Sequence, residues 1–285
     1  TSYVGNPTEQ QEHLIISEIM YHPEPDGLAE YIELMNVSDS VTLDLAGVKF
    51  TNGIDFDFTG SSVTSLAPGG RVLVVRDLAA FELAYGEGLP VAGVFANSTS
   101  LSNAGEKLKL EDASNGTIKE FSYNDKSPWP VAADTLGYSI TLRAPGQNLD
   151  PSEPTHWRAS VTPGGTPGSS DGTLLAGNPT DDLDGDGLTA LLEHAFGTSD
   201  MVYNVGEDLF AIDVDGSLNI SMQQNLAADD VERVIEYSDD LENWQSATDD
   251  LIFVSTVHIG NGRARLQYTS EEGPAGTQFW RVRVR

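Results

Sequence analysis

Asp182, Asp184 and Asp186 alternate with Leu183 and Gly185, Gly187 follows, and Glu193 stands at the twelfth position of the run DLDGDGLTALLE. Carboxylates at alternate positions converge on one point only if the chain curls around it, and a glycine at position six permits that turn. Leu188, at position seven, offers a backbone carbonyl. Glu193 arrives one helical turn later and can close the sphere with both oxygens. Hard oxygen donors at the spacing D-x-[DN]-x-[DN]-G-x5-E point to calcium. The expected ligands are therefore Asp182, Asp184, Asp186, Leu188 and Glu193, with calcium as the cofactor. The plain alternative is an acidic, solvated linker whose spacing is accidental.

Other chemistry finds little support. The five histidines (His13, His22, His156, His194, His258) are scattered, without an HExxH or an i,i+4 pair that would hold zinc. There is no GxSxG elbow, P-loop or dinucleotide fingerprint, and among 44 acidic residues no acid–base pair can be nominated. The chain reads as a non-enzyme. Cysteine is absent, so disulfide and thiol chemistry are excluded. A formal charge of −29 repels nucleic acid and anionic membranes, and no apolar run is long enough to span a bilayer. Calcium loops of modest affinity fill where the ion is abundant, which predicts a secreted or cell-surface location. The opening at Thr1, without methionine or apolar leader, predicts a processed protein or an excised piece.

The elements that must position the loop are short strands bounded by Gly, Pro, Asn and Asp. Residues 1–13 are polar and aperiodic and predict a flexible arm, which would add a strand to a neighbour's sheet edge. Strands are expected at Leu14–Met20, Tyr31–Asn36, Val41–Asp44, Lys49–Phe50, Arg71–Val75, Lys107–Glu111, Ile118–Tyr123 and Ser139–Leu142, with one helix over Asp77–Tyr85. Residues 14–171 thus predict a β-sandwich. The Pro/Gly/Ser/Thr-rich run from Thr162 to Thr180 predicts the end of that domain and a linker, 172–204, holding the loop and a short helix, Leu188–Phe196, closed by Gly197. Strands resume at Phe210–Val214, Leu218–Gln223, Val231–Ser238, Leu251–Val257, Arg263–Tyr268 and Phe279–Val284. They predict a second, smaller β domain over 205–285.

Six segments, LIISEIMYHP (Leu14–Pro23), EYIELMN (Glu30–Asn36), DLAGVKF (Asp44–Phe50), LAPGGRVLVV (Leu66–Val75), SPWPVAADTLGYSITL (Ser127–Leu142) and GTPGSSD (Gly165–Asp171), resemble in order the lamin tail domain. That resemblance implies an immunoglobulin-like β-sandwich of the kind also found in secreted bacterial proteins, with framework roles for these segments and no catalytic site. The acidic balance departs from the chromatin association of nuclear members. Asp182–Asp200 is similar to the calcium loops of dockerins and thrombospondin type 3 repeats. IEYSDDLENWQSA (Ile235–Ala247) and FWRVRV (Phe279–Val284) are similar to fibronectin type III-like modules.

Four further groups invite functional readings. Glu18, Glu30 and Glu33 would gather a second cation, or else are solvated strand faces. Trp129, between Pro128 and Pro130, and Trp244 would stack on a polysaccharide, or else pack at a sandwich edge. Arg281, Arg283 and Arg285 share one face of the last strand and would meet an acidic surface of another protomer, or else are a solvated face. Asp213 and Asp215 mimic a loop start, but Gln224 occupies position 12. Together these readings predict a non-catalytic extracellular structural or adhesive module, with a calcium-rigidified joint and protein partners or self-association. The competing expectation is a carbohydrate-binding accessory region of a polysaccharide-degrading enzyme.

Overall fold

A computed structural model describes residues 6–204, 209–273 and 276–285. The chain is mainly β and divides into two compact units, Thr1–Asp171 and Gly172–Arg285.

The first unit contains α1 (Glu9–His13), β1 (Leu14–Met20), β2 (Tyr31–Asn36), β3 (Leu43–Asp44), β4 (Lys49–Asn52), β5 (Phe56–Asp57), β6 (Ser65–Leu66), β7 (Arg71–Val75), α2 (Leu78–Tyr85), β8 (Val91–Val94), β9 (Lys107–Glu111), β10 (Thr117–Ser122), α3 (Ala132–Thr135), β11 (Ile140–Leu142) and β12 (Trp157–Ala159). A six-stranded sheet, β12-β11-β1-β2-β7-β8, faces a four-stranded one, β10-β9-β4-β5. Ile16, Ile32, Val72, Phe50, Leu108 and Trp157 fill the core. All seven residues of β1 are buried, because β1 is central and both faces of its sheet are covered. The far face carries Met20, Tyr31, Leu73 and Val75 under α2, whose Phe81 is fully buried. Asp77 caps α2 by accepting from the Ala80 amide at 2.9 Å. Burying Phe81 stabilises the contact by roughly 2–3 kcal/mol.

Residues 6–13 are not the free arm that their composition suggests. Thr8 and Gln11 form a capping box at the start of α1. Gln10 and Gln11 donate to the carbonyls of Asp44 and Thr117, and Asn148 donates to that of Glu12. Polar side chains here fasten the backbone, which hydrophobic periodicity cannot report. The remainder of the expected arm, residues 1–5, lies outside the described residues.

The second unit contains α4 (Ala190–Phe196), β13 (Phe210–Val214), β14 (Leu218–Asn225), β15 (Arg233–Ser238), β16 (Gln245–Ser246), β17 (Ile252–Gly260), β18 (Arg263–Thr269) and β19 (Phe279–Val284). They form antiparallel sheets β13-β14-β18-β17 and β16-β15-β19. Leu218, Ile220 and Met222 of β14 meet Ile235 of β15 and Phe196 of α4 in one core.

Segment 172–204, expected as a linker, is grouped with these strands, and α4 is the reason. Its Ala190, Glu193, Ala195 and Phe196 are buried. Its last carbonyls, those of His194, Ala195 and Phe196, accept from Asn225, Arg233 and Gln223 of the neighbouring strands. Buried Gln223 thus satisfies an orphan helix carbonyl. The helix end is built into the sheet.

Candidate metal centre

The loop curls by a chain of side-chain to backbone bonds. Asp182 accepts from the amides of Gly185 at 2.9 Å and Gly187 at 3.1 Å. Asp184 accepts from Asp186 N at 3.1 Å, and Asp186 from Leu188 N at 2.7 Å and Asn204 N at 3.0 Å. Gly185 and Gly187 both adopt positive φ, +77° and +95°, which permits the curl at little steric cost. One carboxylate oxygen from each of Asp182, Asp184 and Asp186 lies within 4.8 Å of the other two. The three expected side chains are therefore brought together.

Glu193 comes to the same site from α4, and its position is unusual for a carboxylate. Its residue is 1% exposed. Oε1 accepts from Asn204 Nδ2 at 2.9 Å, whereas Oε2 is buried without a hydrogen bond of good geometry, the Thr198 hydroxyl being a polar neighbour. Asp184 Oδ2 is likewise buried without a partner. Burial, reinforced by the charges of Asp184, Asp186 and Asp200, pushes the Glu193 carboxyl up to about 7. Hydrogen bonds donated by the backbone N–H groups of Asn204 and Leu188 hold Asp186 below the usual carboxylate range. Buried polar groups ordinarily find partners. Two buried carboxylate oxygens that lack a hydrogen bond of good geometry, beside a cluster of aspartates, suit a hard cation.

Asn204 and Asp200 belong to the surroundings of the loop and were not legible in the motif. Asp200 accepts from Leu183 N at 2.9 Å, and both residues lie beyond position 12, where the spacing rule is silent. Gly197 closes α4 in the left-handed conformation, with its amide on Glu193 O at 2.7 Å. His194 does not turn to the loop. It pairs with Asp230 at 2.7 Å, and Asp230 also receives the amide of Leu175. A second carboxylate–imidazole cluster, Glu9, Glu12 and His13, lies on the surface of α1; its signal was the i,i+4 spacing of Glu9 and His13.

With these geometries in hand, the comparison with known families bears on the first unit. Residues 7–125 match the model of the lamin tail domain. No curated protein and no solved structure matches the chain. The lamin tail domain is immunoglobulin-like, a structural module in character, and its match ends before the aspartate loop. The loop and the C-terminal strands stand on their own residues.

Within the first unit, Glu18, Glu30 and Glu33 are neither solvated nor gathered around a common point. Their residues are 1%, 2% and 0% exposed. Glu18 and Glu33 are cross-strand partners on β1 and β2. Glu18 Oε1 accepts from Ser139 Oγ at 2.5 Å and Thr166 N at 3.0 Å. Glu33 accepts from Ser17 Oγ at 2.6 Å and Gly168 N at 2.7 Å, and is ion-paired with Arg71. Glu30 is held by Arg76 at 2.6 Å and Leu101 N at 2.7 Å. Protein donors occupy the oxygens that a second cation would need. Burial raises all three carboxyls; for Glu18, with Glu33 beside it, the value reaches about 7. The pair clamps the GTPGSS turn onto the sheet, a role that sequence spacing did not reveal because Thr166 and Gly168 lie far along the chain.

The aromatic and arginine candidates are also engaged. Trp129 is 8% exposed and tilted against Trp157 at 6.1 Å, so its ring is core and offers no platform. Trp244 carries the Arg281 guanidinium over its ring at 3.9 Å, which covers one stacking face. Arg281 and Arg283 both pair with Glu236, at 2.7 and 2.9 Å, and Arg285 pairs with Glu232 at 2.6 Å. These guanidiniums are offset within their own sheet. Asp215 accepts from Asn219, and Asp213 stays in the ladder of β13. No helix among the described residues is long and apolar enough to cross a membrane.

Proposed function

We propose that this chain is a non-catalytic structural module of the extracellular space or cell surface, in which a calcium ion locks the C-terminal β unit. The observation that carries the reading is the pair of buried oxygens on Glu193 and Asp184 that lack a hydrogen bond of good geometry, beside the converging Asp182 and Asp186. Asp182, Asp184, Asp186, Leu188 and Glu193 would hold the ion, with Asn204 orienting Glu193 and Asp186 from behind. When bound, calcium would supply charge neutralisation for carboxylates that otherwise repel one another.

The mechanical consequence differs from that of a bare joint. Glu193 is carried by α4, and α4 shares its core and its terminal carbonyls with β14 and β15. Fixing Glu193 therefore fixes the helix, and the helix braces the sheet. The opening segment of the unit is tied down as well: Thr173 N donates to Ala227 O at 2.8 Å, and Leu175 N to Asp230. Adhesion, spacing or assembly is the work for which such a braced module is suited.

Hydrogen exchange and calorimetry of the full chain, with calcium and with chelator, test the reading. Calcium should slow exchange over 182–198 and raise the melting of the second unit, while the Glu193→Gln variant should show neither effect. Identical exchange and melting in calcium and in chelator would end the proposal.

A further inference from the structure

The longest strand of the second unit is also the end of its sheet. β17 runs nine residues, IFVSTVHIG, with β18 on one side and, among the described residues, no strand on the other. Ile252, Val254, Val257 and Ile259 are 49%, 50%, 47% and 37% exposed. An exposed apolar edge is a template for strand pairing, and proteins ordinarily blunt it with charge, proline, brevity or a bulge that twists it away. Charge, proline and brevity are all missing from β17, whose one titratable residue is His258. Burial lowers the pKa of His258, so it is neutral at neutral pH.

Charge decides which edge of this unit can meet another copy. Residues 172–285 carry 21 acidic and 6 basic groups, a formal −15, so contact between copies is repelled over most of the surface. From Leu251 to Ser270 there is no acidic residue. The opposite edge of the same sheet, β13, bears Asp213, and the edge strand β19 bears three arginines held by Glu232 and Glu236. If β17 pairs with its own copy, the nearest like charges, on the two β18 strands, lie three inter-strand spacings apart, roughly 14 Å. That exceeds the Debye length of about 8 Å at physiological ionic strength. The bulges at Phe253/Ser255 and His258/Gly260 bend the two ends and leave the middle of the strand for pairing.

We propose that β17 is a self-association edge: the β17 strands of two copies pair antiparallel about a two-fold axis and join two four-stranded sheets into one of eight. The contact is isologous, and acidic β13 at each outer edge stops growth at the dimer. The inference does not depend on calcium. A single strand pair is at the small end of specific interfaces, so the dimer should form reversibly at a concentration on the order of 100 µM.

Sedimentation equilibrium of the full chain over a wide concentration range tests this, with Val254→Lys and Val257→Lys placed at exposed positions where lysine is tolerated. The wild type should dimerise and each variant should weaken the dimer by about tenfold, because each copy then sets a strongly hydrated ammonium group on the shared edge, two per dimer, in place of apolar contact. Glu242→Gln, in an exposed turn outside this sheet, should leave the dimer constant within about twofold. Hydrogen exchange of β17 amides should slow as concentration rises in the wild type alone. A wild type that stays monomeric, a Val257→Lys chain that dimerises normally, or a dimer lost on deleting residues 1–5 would each overturn the proposal.

Discussion

Acidifying this protein from pH 8 to pH 4.5 should stabilise its first unit, the reverse of ordinary acid denaturation. Glu18 is buried beside Glu33, with Tyr31 and Tyr85 on the same side and Arg71 reaching only Glu33. Its carboxyl rises from 4.5 to about 7 on folding, chiefly through burial and secondly through Glu33. A folded-state value above the unfolded one gives a contribution that is fully present below pH 4.5 and is lost as pH climbs through about 7. The difference corresponds to about 3 kcal/mol. Glu30 and Glu33 are shifted in the same direction and add to it. Depressed carboxyls in this unit, such as Asp57 and Asp150, are lost only below their ordinary values, so the windows do not overlap. The assay is urea unfolding at several pH values, read by hydrogen exchange in peptides covering Leu14–Asn36. Glu18→Gln keeps the shape and removes the titration, so its stability should vary much less between pH 4.5 and 7. A wild-type stability that is flat or falls from pH 7.5 to pH 5 would refute the reasoning.

Calcium at a hundredfold excess over its dissociation constant should add about 2.7 kcal/mol to the second unit, and Asp184→Asn should remove the gain; calorimetry should find the transition of the first unit unmoved. Gly165→Ala should destabilise the first unit by about 2–4 kcal/mol, because Gly165 has φ +75° and an added Cβ would collide with Glu18 Oε1 and Tyr31 OH and lie 2.7 Å from Ser139 Oγ; a neutral result in urea unfolding would show that the clamp can yield. Trp129→Ala should cost about 3–5 kcal/mol, and Trp244→Ala about 1 kcal/mol or less, each by urea titration. Neither substitution should alter retention on polysaccharide columns, and saccharide-dependent retention lost with Trp244 would favour a carbohydrate-binding role.

Local physics made much of this protein legible in its sequence. The strands Leu14–Met20, Tyr31–Asn36, Arg71–Val75, Lys107–Glu111 and Phe279–Val284 lie where apolar runs and turn residues place them, and α2 starts at the Asp77 cap. The aspartate loop curls as its alternate carboxylates and Gly187 require, since the bonds from Gly185, Asp186, Gly187 and Leu188 are closed within five residues. Tertiary structure alone decided what those pieces serve. The burial of Glu193 depends on α4 docking against β14, some thirty residues downstream, and the partners of Glu18 and Glu33 come from a turn more than 130 residues away. Trp129 and the arginines of β19 read as candidate contacts in sequence because their neighbours, Trp157 and Glu236, are distant along the chain and adjacent in space. Spacing states which groups are able to meet, whereas desolvation and pairing, which set their chemistry, exist only once the sheets have packed.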